Sequence, residues 1–457
     1  PTTLADIEHR VDQLLRQGYL QKGKGADRHL VTTRHAIGLE QRIIAAVETG
    51  RGHGSAVVEA DVAGERLQAL SQLKYGLTLN PGQEGAGRLL LASHNRIVAI
   101  QGVAGAGKST VLKPVADILR EEGKSVLGLA VQNTLVQMLE RDTGIPSMTV
   151  ARFLRQHQGL LEGADQARLA EARASLRGTT VLLDEASMVG NADKERLVRL
   201  ANLLQLDRFA SIGDRKQLGA VDAGKPFDVM QQAGVETAIM NTNLRARDKA
   251  LRDAQYAAQG GNIDEALRHL GPHVVASGNT AAVDAAAAWL SLSPAEREVT
   301  AIYASGRNLR GQVNEAVQIG LKANGELGPG SLGLTVLSRV NLTREEMRYA
   351  RSYAAGMVLE VDRRQRGQGL QKGRYDVIET DPARERVMLQ NERGKRFEFR
   401  PGQMRPQGEQ DPLRLFEVRP LEIYDGDRIR WTATDHKRGL LNADQARIVA
   451  VDAKGVT

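Results

Sequence analysis

The stretch AIQGVAGAGKST, Ala99 to Thr110, constrains this 457-residue chain more than any other. Gly102-Val-Ala-Gly105-Ala-Gly107-Lys108-Ser109 completes the pattern G-x-x-x-x-G-K-[ST] after a compact apolar run and before a helical one. A strand has to stop at the first glycine and a helix has to start near the lysine. The glycines let the backbone curl until its N–H groups converge on an anion, and the helix turns its positive end to the same charge. Gly102, Gly105, Gly107, Lys108, Ser109 and Thr110 are therefore the expected ATP-binding residues. Lys108 is expected at the β- and γ-phosphates and Ser109 at Mg²⁺.

The surrounding chain repeats this form. RIVAIQG, SVLGLA, TTVLLDEAS and RFASIGD are short apolar runs, with helical stretches such as STVLKPVADILREEGK and QNTLVQMLERDTG between them. That alternation predicts an α/β fold, a parallel sheet wound in βαβ units with ligands at the carboxyl ends of its strands. The first such domain is expected over 76–295, including a helical, alanine-rich end. Before it, 1–75 reads as a helical or winged-helix-like module, with a short strand near Leu30 and a helix capped by Thr33 and stopped by Gly50. VTAIYASG, Val299 to Gly306, is expected to open a second α/β domain over 296–335. Short β-like runs over 336–457, with a hairpin turn at Asn391–Gly394, predict a small SH3-like β-barrel. The basic, glycine-rich Arg363–Arg374 reads as a mobile, solvated loop. Trp431, Tyr353 and Phe397 are the few aromatic candidates for base stacking, and an ordinary core or surface position suits each of them better.

Two further strand ends supply chemistry. VLLDEAS ends an apolar run in Asp184-Glu185. A strand-end aspartate there can hold Mg²⁺, and Glu185 is placed to orient and deprotonate an attacking water. SIGDRKQL ends in Gly213-Asp214 and carries Gln217, which can hydrogen-bond both a γ-phosphate and that water.

In this order the motifs resemble those of superfamily 1 helicases. By that resemblance LTLNPGQEGAGRLLL is their Q motif, with Gln83 reading adenine. AVQNTLVQMLERDTGIPSMTVARFL resembles the DNA-contacting motifs, which places Gln132, Asn133, Thr134 and Thr149 at the DNA backbone. NTNLRARDKA resembles the segment whose arginine, here Arg245, reaches the γ-phosphate. Within the superfamily the chain resembles the RecD-like branch (1B). More narrowly it resembles the helicase portion of conjugative relaxase–helicases, the TraI/TrwC family, on VTTRHAIGLEQRII, YASGRNLRGQVNEAVQIGL, RYARSYAAGMVLEV and GDRIRWTATDHKRGLLNADQARIVAV. The sheet is then expected to be RecA-like.

The resemblance implies ATP-driven 5′→3′ movement on single-stranded DNA, conjugative plasmid DNA as substrate and a type IV secretion coupling protein as partner. It also implies a cytoplasmic monomer, carried with the strand into the recipient cell. A recruitment module for the secretion system and a RecD-like repair helicase are the alternatives. The family's nicking domain needs a tyrosine and a histidine cluster, and no such cluster is present. Motifs V and VI are not found. Asp435–Gly439 has only part of motif V and reads better as a strand and turn. The chain also opens on proline, so a fragment that binds ATP–Mg²⁺ but unwinds poorly is the expectation.

Composition narrows the rest. The absence of cysteine excludes disulfides and thiol catalysis, and the nine histidines are too scattered for a histidine metal site. A formal charge of +7 suits a polyanionic partner. No run approaches the ~20 apolar residues of a membrane span.

Overall fold

A computed structural model describes residues 4–24, 28, 30–163, 166–217, 219–220, 222–404, 413–431, 438–440, 444–452 and 455–457. The chain divides into two compact units, Pro1–Val275 and Ala276–Thr457.

The first unit is built on six parallel strands. Their order is Ser147–Thr149, Ser125–Ala130, Thr179–Leu183, Arg208–Gly213, Ile97–Gly102 and Thr237–Met240. Every residue of Thr179–Leu183 and Arg208–Gly213 is buried, as in a parallel sheet covered on both faces. On one face Val98 and Ile100 pack with Leu67, Leu90, Val111 and Val115. On the other, Ile97 and Phe209 pack with Ile43, Val47, Leu197 and Leu200.

Those contacts revise the expected first boundary. Helix Arg34–Thr49 starts at Thr33, whose Oγ1 accepts from Ala36 N at 3.0 Å, and ends at Gly50, as the sequence predicts. Its apolar stripe, however, lies in the same core as the sheet, and helix Ala60–Tyr75 contributes Ala63 and Leu67 to the opposite face. Both sheet faces need apolar cover, so residues 34–75 belong to this unit rather than to a separate module.

In the second unit, helices Ala281–Leu290 and Arg307–Ala323 pack closely where a Cβ on Gly320 would lie 2.2 Å from Leu290 Cδ1. The strand expected over Val299–Gly306 is not formed. Ser293 and Glu296 make a reciprocal capping box that starts helix Pro294–Val299, and the chain beyond has no ladder partner among the described residues. Val299 and Tyr303 are 88% and 94% exposed. An antiparallel sheet follows, in the order Arg396–Phe399, Arg386–Asn391, Gly373–Asp381, Val358–Val361, Leu413–Tyr424 and Ser331–Arg339. One face buries Leu359, Tyr375, Val377, Leu389, Phe399 and Leu415. Among the described residues its two edge strands do not pair, so it is an open six-stranded sheet and not a closed barrel.

Smaller expectations in this unit divide. The turn at Asn391–Gly394 forms, with Gly394 at φ 76° and its N–H on Asn391 O at 2.8 Å. The loop after Val361 is pinned rather than loose, since Gln368 exchanges two hydrogen bonds with the Arg400 backbone and Gln371 N donates to Tyr375 Oη. Tyr353 is core, edge-on to Phe399, and Phe397 stands edge-on to Tyr375. Asp435 to Lys437 lie outside the described residues. No helix among the described residues is long and apolar enough to cross a membrane.

Candidate nucleotide site

Strand Ile97–Gly102 delivers the phosphate loop to the carboxyl edge of the parallel sheet. Gly105 and Gly107 have φ of 76° and 75°, and helix Lys108–Glu121 begins directly after them. Thr110 N and Val111 N turn back to Gly107 O at 3.1 and 3.3 Å, and the N–H groups of Lys108 and Ser109, which precede the first helical bonds, are left to face an anion. Lys108 Nζ donates to Gly102 O at 3.2 Å and lies 3.9 Å from Glu185 Oε1. Ser109 and Thr110 follow in the same turn.

Gln83 lies at the loop but in a role the sequence reading missed. It is 2% exposed; its Oε1 accepts from Asn80 N at 3.1 Å, and its Nε2 donates to Ala106 O at 3.2 Å. Asn80-Pro-Gly-Gln83 is a capping box on helix Pro81–Ala92, and it turns this amide onto the loop floor. The spacing of Asn80 and Gln83 was the available signal.

The neighbouring strand ends converge on the loop. Strand Thr179–Leu183 leads into Asp184 and Glu185. Burial, and then the like charge of Glu185, push the Asp184 carboxyl up to about 6. Glu185 is one of few non-glycine residues in the left-handed region, with φ 47° and ψ 46°, and its carbonyl accepts from Met188 N at 2.9 Å. A Cβ on Gly213 would sit 3.1 Å from the Ala186 and Ser187 nitrogens, so glycine lets the two strand ends meet. Asp214, 1% exposed, accepts from Lys216 N at 3.0 Å and from Gln217 Nε2 at 3.2 Å. It has no cation partner among the described residues.

Strand Thr237–Met240 brings in the last piece. Asn243, 5% exposed, accepts from Arg245 N at 2.9 Å and Ala246 N at 3.1 Å, while Leu244 N donates to Gly105 O at 2.9 Å. Arg245 is exposed and makes no ion pair among the described residues. A Cβ on Gly105 would lie 2.6 Å from Asn243 Oδ1 and 2.8 Å from Arg245 Cβ. Gly105→Ala therefore meets both a clash and a left-handed backbone, a strain of ~1–3 kcal/mol. We expect nucleotide affinity to fall at least about tenfold with the fold kept, measured by titration with a fluorescent nucleotide. Unchanged affinity would show that the loop does not hold phosphate.

The donor set fits a nucleoside triphosphate with a divalent cation: paired left-handed glycines, a helix start, a lysine held loosely, and a buried carboxyl that charge compensation would ionise. Ser109 and Asp184 can hold the cation. The expected DNA residues stand on the same edge but on its other flank. Gln132, Asn133 and Thr134 are exposed just past strand Ser125–Ala130. Thr149, beside Ala130 in the ladder, spends its Oγ1 on Arg152 N at 3.2 Å as a helix cap.

Known proteins give the following likenesses. A family model described as an AAA domain matches residues 78–276, and one described as the DNA relaxase TraI 2B/2B-like domain matches 336–423. The chain is 28% identical over 277 residues to the multifunctional conjugation protein TraI of Escherichia coli (strain K12), covering 59% of this chain and 15% of that protein. It is 35% identical over 143 residues to the ATP-dependent RecD2 DNA helicase of Deinococcus radiodurans, covering 31% of this chain and 19% of that one. A Pif1 helicase structure from Candida albicans aligns with a TM-score of 0.35 at 16% identity, over 81% of this chain and 83% of the other.

Proposed function

We propose a function for this chain on the premise that it belongs to the TraI-like relaxase–helicases, as the portion with an ATPase domain followed by a 2B-like domain: it hydrolyses ATP in response to single-stranded DNA. The observation that carries this reading is the convergence on one sheet edge of Lys108, Asp184–Glu185, Asp214–Gln217 and Arg245, with Gln132–Thr134 on the other flank of that edge. Bound Mg²⁺, held by Ser109 and Asp184, would neutralise charge on the phosphates. Lys108 binds the β- and γ-phosphates. Glu185 orients the attacking water and takes its proton, Gln217 fixes that water, and Arg245 stabilises charge developing on the transferred group. Gln132, Asn133, Thr134 and Thr149 hold the DNA backbone. Gln83 supports the loop and reaches adenine only if it leaves Ala106.

The wider role follows the family: translocation along conjugative plasmid DNA in the cytoplasm, delivered to a secretion coupling protein. The test is ATP turnover with and without single-stranded DNA. Stimulation by DNA, with a fall of about a hundredfold or more in Lys108→Ala, is the expected result. Turnover that ignores DNA would favour a recruitment module instead.

A further inference from the structure

Gln101 has no part in the motifs above, yet it joins two of them. It is the penultimate residue of strand Ile97–Gly102, one step before the phosphate loop. Its Nε2 donates to Asp214 Oδ1 at 2.9 Å, and its Oε1 accepts from Arg215 N at 3.2 Å and from Gln231 Nε2 at 3.4 Å. Asp214 in turn accepts from Gln217 Nε2 at 3.2 Å. The path continues outward, since Lys216 Nζ donates to Gln259 O at 3.1 Å, the last residue of helix Lys249–Gln259. That helix also reaches back to the Arg245 loop, because its Tyr256 Oη accepts from Asn243 N at 3.1 Å.

From this chain of contacts we infer that Gln101 is a positioning residue. It locks the Asp214–Gln217 loop to the phosphate-loop strand, so that nucleotide occupancy is felt at Gln217 and at helix Lys249–Gln259. The chemistry asks for glutamine. Among the described residues no cation pairs with the buried Asp214 carboxyl, which takes a donor from this amide; Arg215 N takes an acceptor from it, and one primary amide serves both. Glutamate would turn the donor into a second negative charge against Asp214, and leucine would remove all three side-chain bonds. Gln101 touches no reacting atom. Its effect falls on geometry, and small displacements of a water-orienting group are costly, up to about a hundredfold in rate per ångström.

The inference rests on the ATPase reading and is tested so that the two can fail separately. Gln101→Leu and Gln101→Glu are compared with the wild-type chain, with Gln217→Ala and with Gln101→Leu/Gln217→Ala. The Gln101 variants are expected to bind a fluorescent ATP analogue within about threefold of wild type while kcat drops about ten- to a hundredfold. The double variant should be no slower than Gln217→Ala alone, because both changes break one path. A second readout needs no turnover. A non-hydrolysable ATP analogue should slow amide hydrogen exchange at 214–217 and 249–259 in wild type, and at neither segment in Gln101→Leu. Wild-type turnover and exchange protection that persist in Gln101→Leu overturn the coupling alone. So does a Gln101→Leu chain whose only change is a lower melting temperature. A wild-type chain that binds no nucleotide overturns the ATPase reading, and the coupling with it.

Discussion

Glu185→Gln should bind ATP as tightly as the parent chain and almost cease to hydrolyse it, with kcat lower by ~10²–10⁴-fold. The change keeps shape and hydrogen-bonding reach and removes the charge, and with it the capacity to take a proton. The backbone supports this assignment. Glu185 sits at φ 47°, a region costly for a side chain of this kind, and persists there because the Ala186–Met188 turn closes on its carbonyl. The turn aims the carboxylate across the phosphate loop, 3.9 Å from Lys108 Nζ. Its neighbour Asp184 is pushed up to about 6 by burial and by the like charge of Glu185, and a bound cation would offset both effects. Single-turnover hydrolysis and nucleotide titration on the same preparation check this. A loss of less than about tenfold would assign the proton to another group.

The second large effect lies in the core. Lys194, on helix Asn191–Leu203, is 0% exposed; its Nζ meets Ser211 Oγ at 3.1 Å and lies 5.9 Å from the Phe227 ring centroid. Burial pulls its ammonium down to about 7 from 10.5. The unfolded chain therefore holds this proton more tightly than the native one. The resulting cost is largest below pH about 7, shrinks as the pH rises towards 10.5, and is gone above it. Lys194→Met, similar in length and able to fill the same space, should raise the unfolding free energy by about 2–4 kcal/mol at pH 7, after the loss of the Ser211 contact. The gain should fade across pH 8–10 and vanish near pH ~11. Denaturant melts at several pH values measure it. A pH-independent difference, or destabilisation at pH 7, would rule out the buried charge as its source.

Lys194 also marks where sequence reading stops. In NADKERLVRL it is one charge among many on a helix with an exposed face, and nothing local says that it points inward. Gln101 and Asn243 escaped for the same reason: their partners, Asp214, Gln231 and Gln255, are far along the chain or carry no motif. Gln83 was seen but given one partner, adenine, when the capping box supplied another. The Ser293–Glu296 spacing of a capping box is likewise legible in the sequence, directly before VTAIYASG.

The sequence by itself determined the parallel sheet and the places where its strands end. Glycine spacing, apolar run length and strand-to-helix alternation are local properties, and they limit the backbone before any tertiary contact forms. It also marked the candidates for nucleotide chemistry, Lys108 at a helix start and Asp184 and Glu185 just past a buried strand, because spacing along the chain is enough to single them out. Only the tertiary structure decided which helices cover the sheet, that the antiparallel sheet stays open, and which amides position the reactive groups. Those outcomes depend on side chains distant in sequence satisfying one another's buried polar groups, as Gln101 does for Asp214 and Asn243 does for the Arg245 loop, and no local pattern records that pairing.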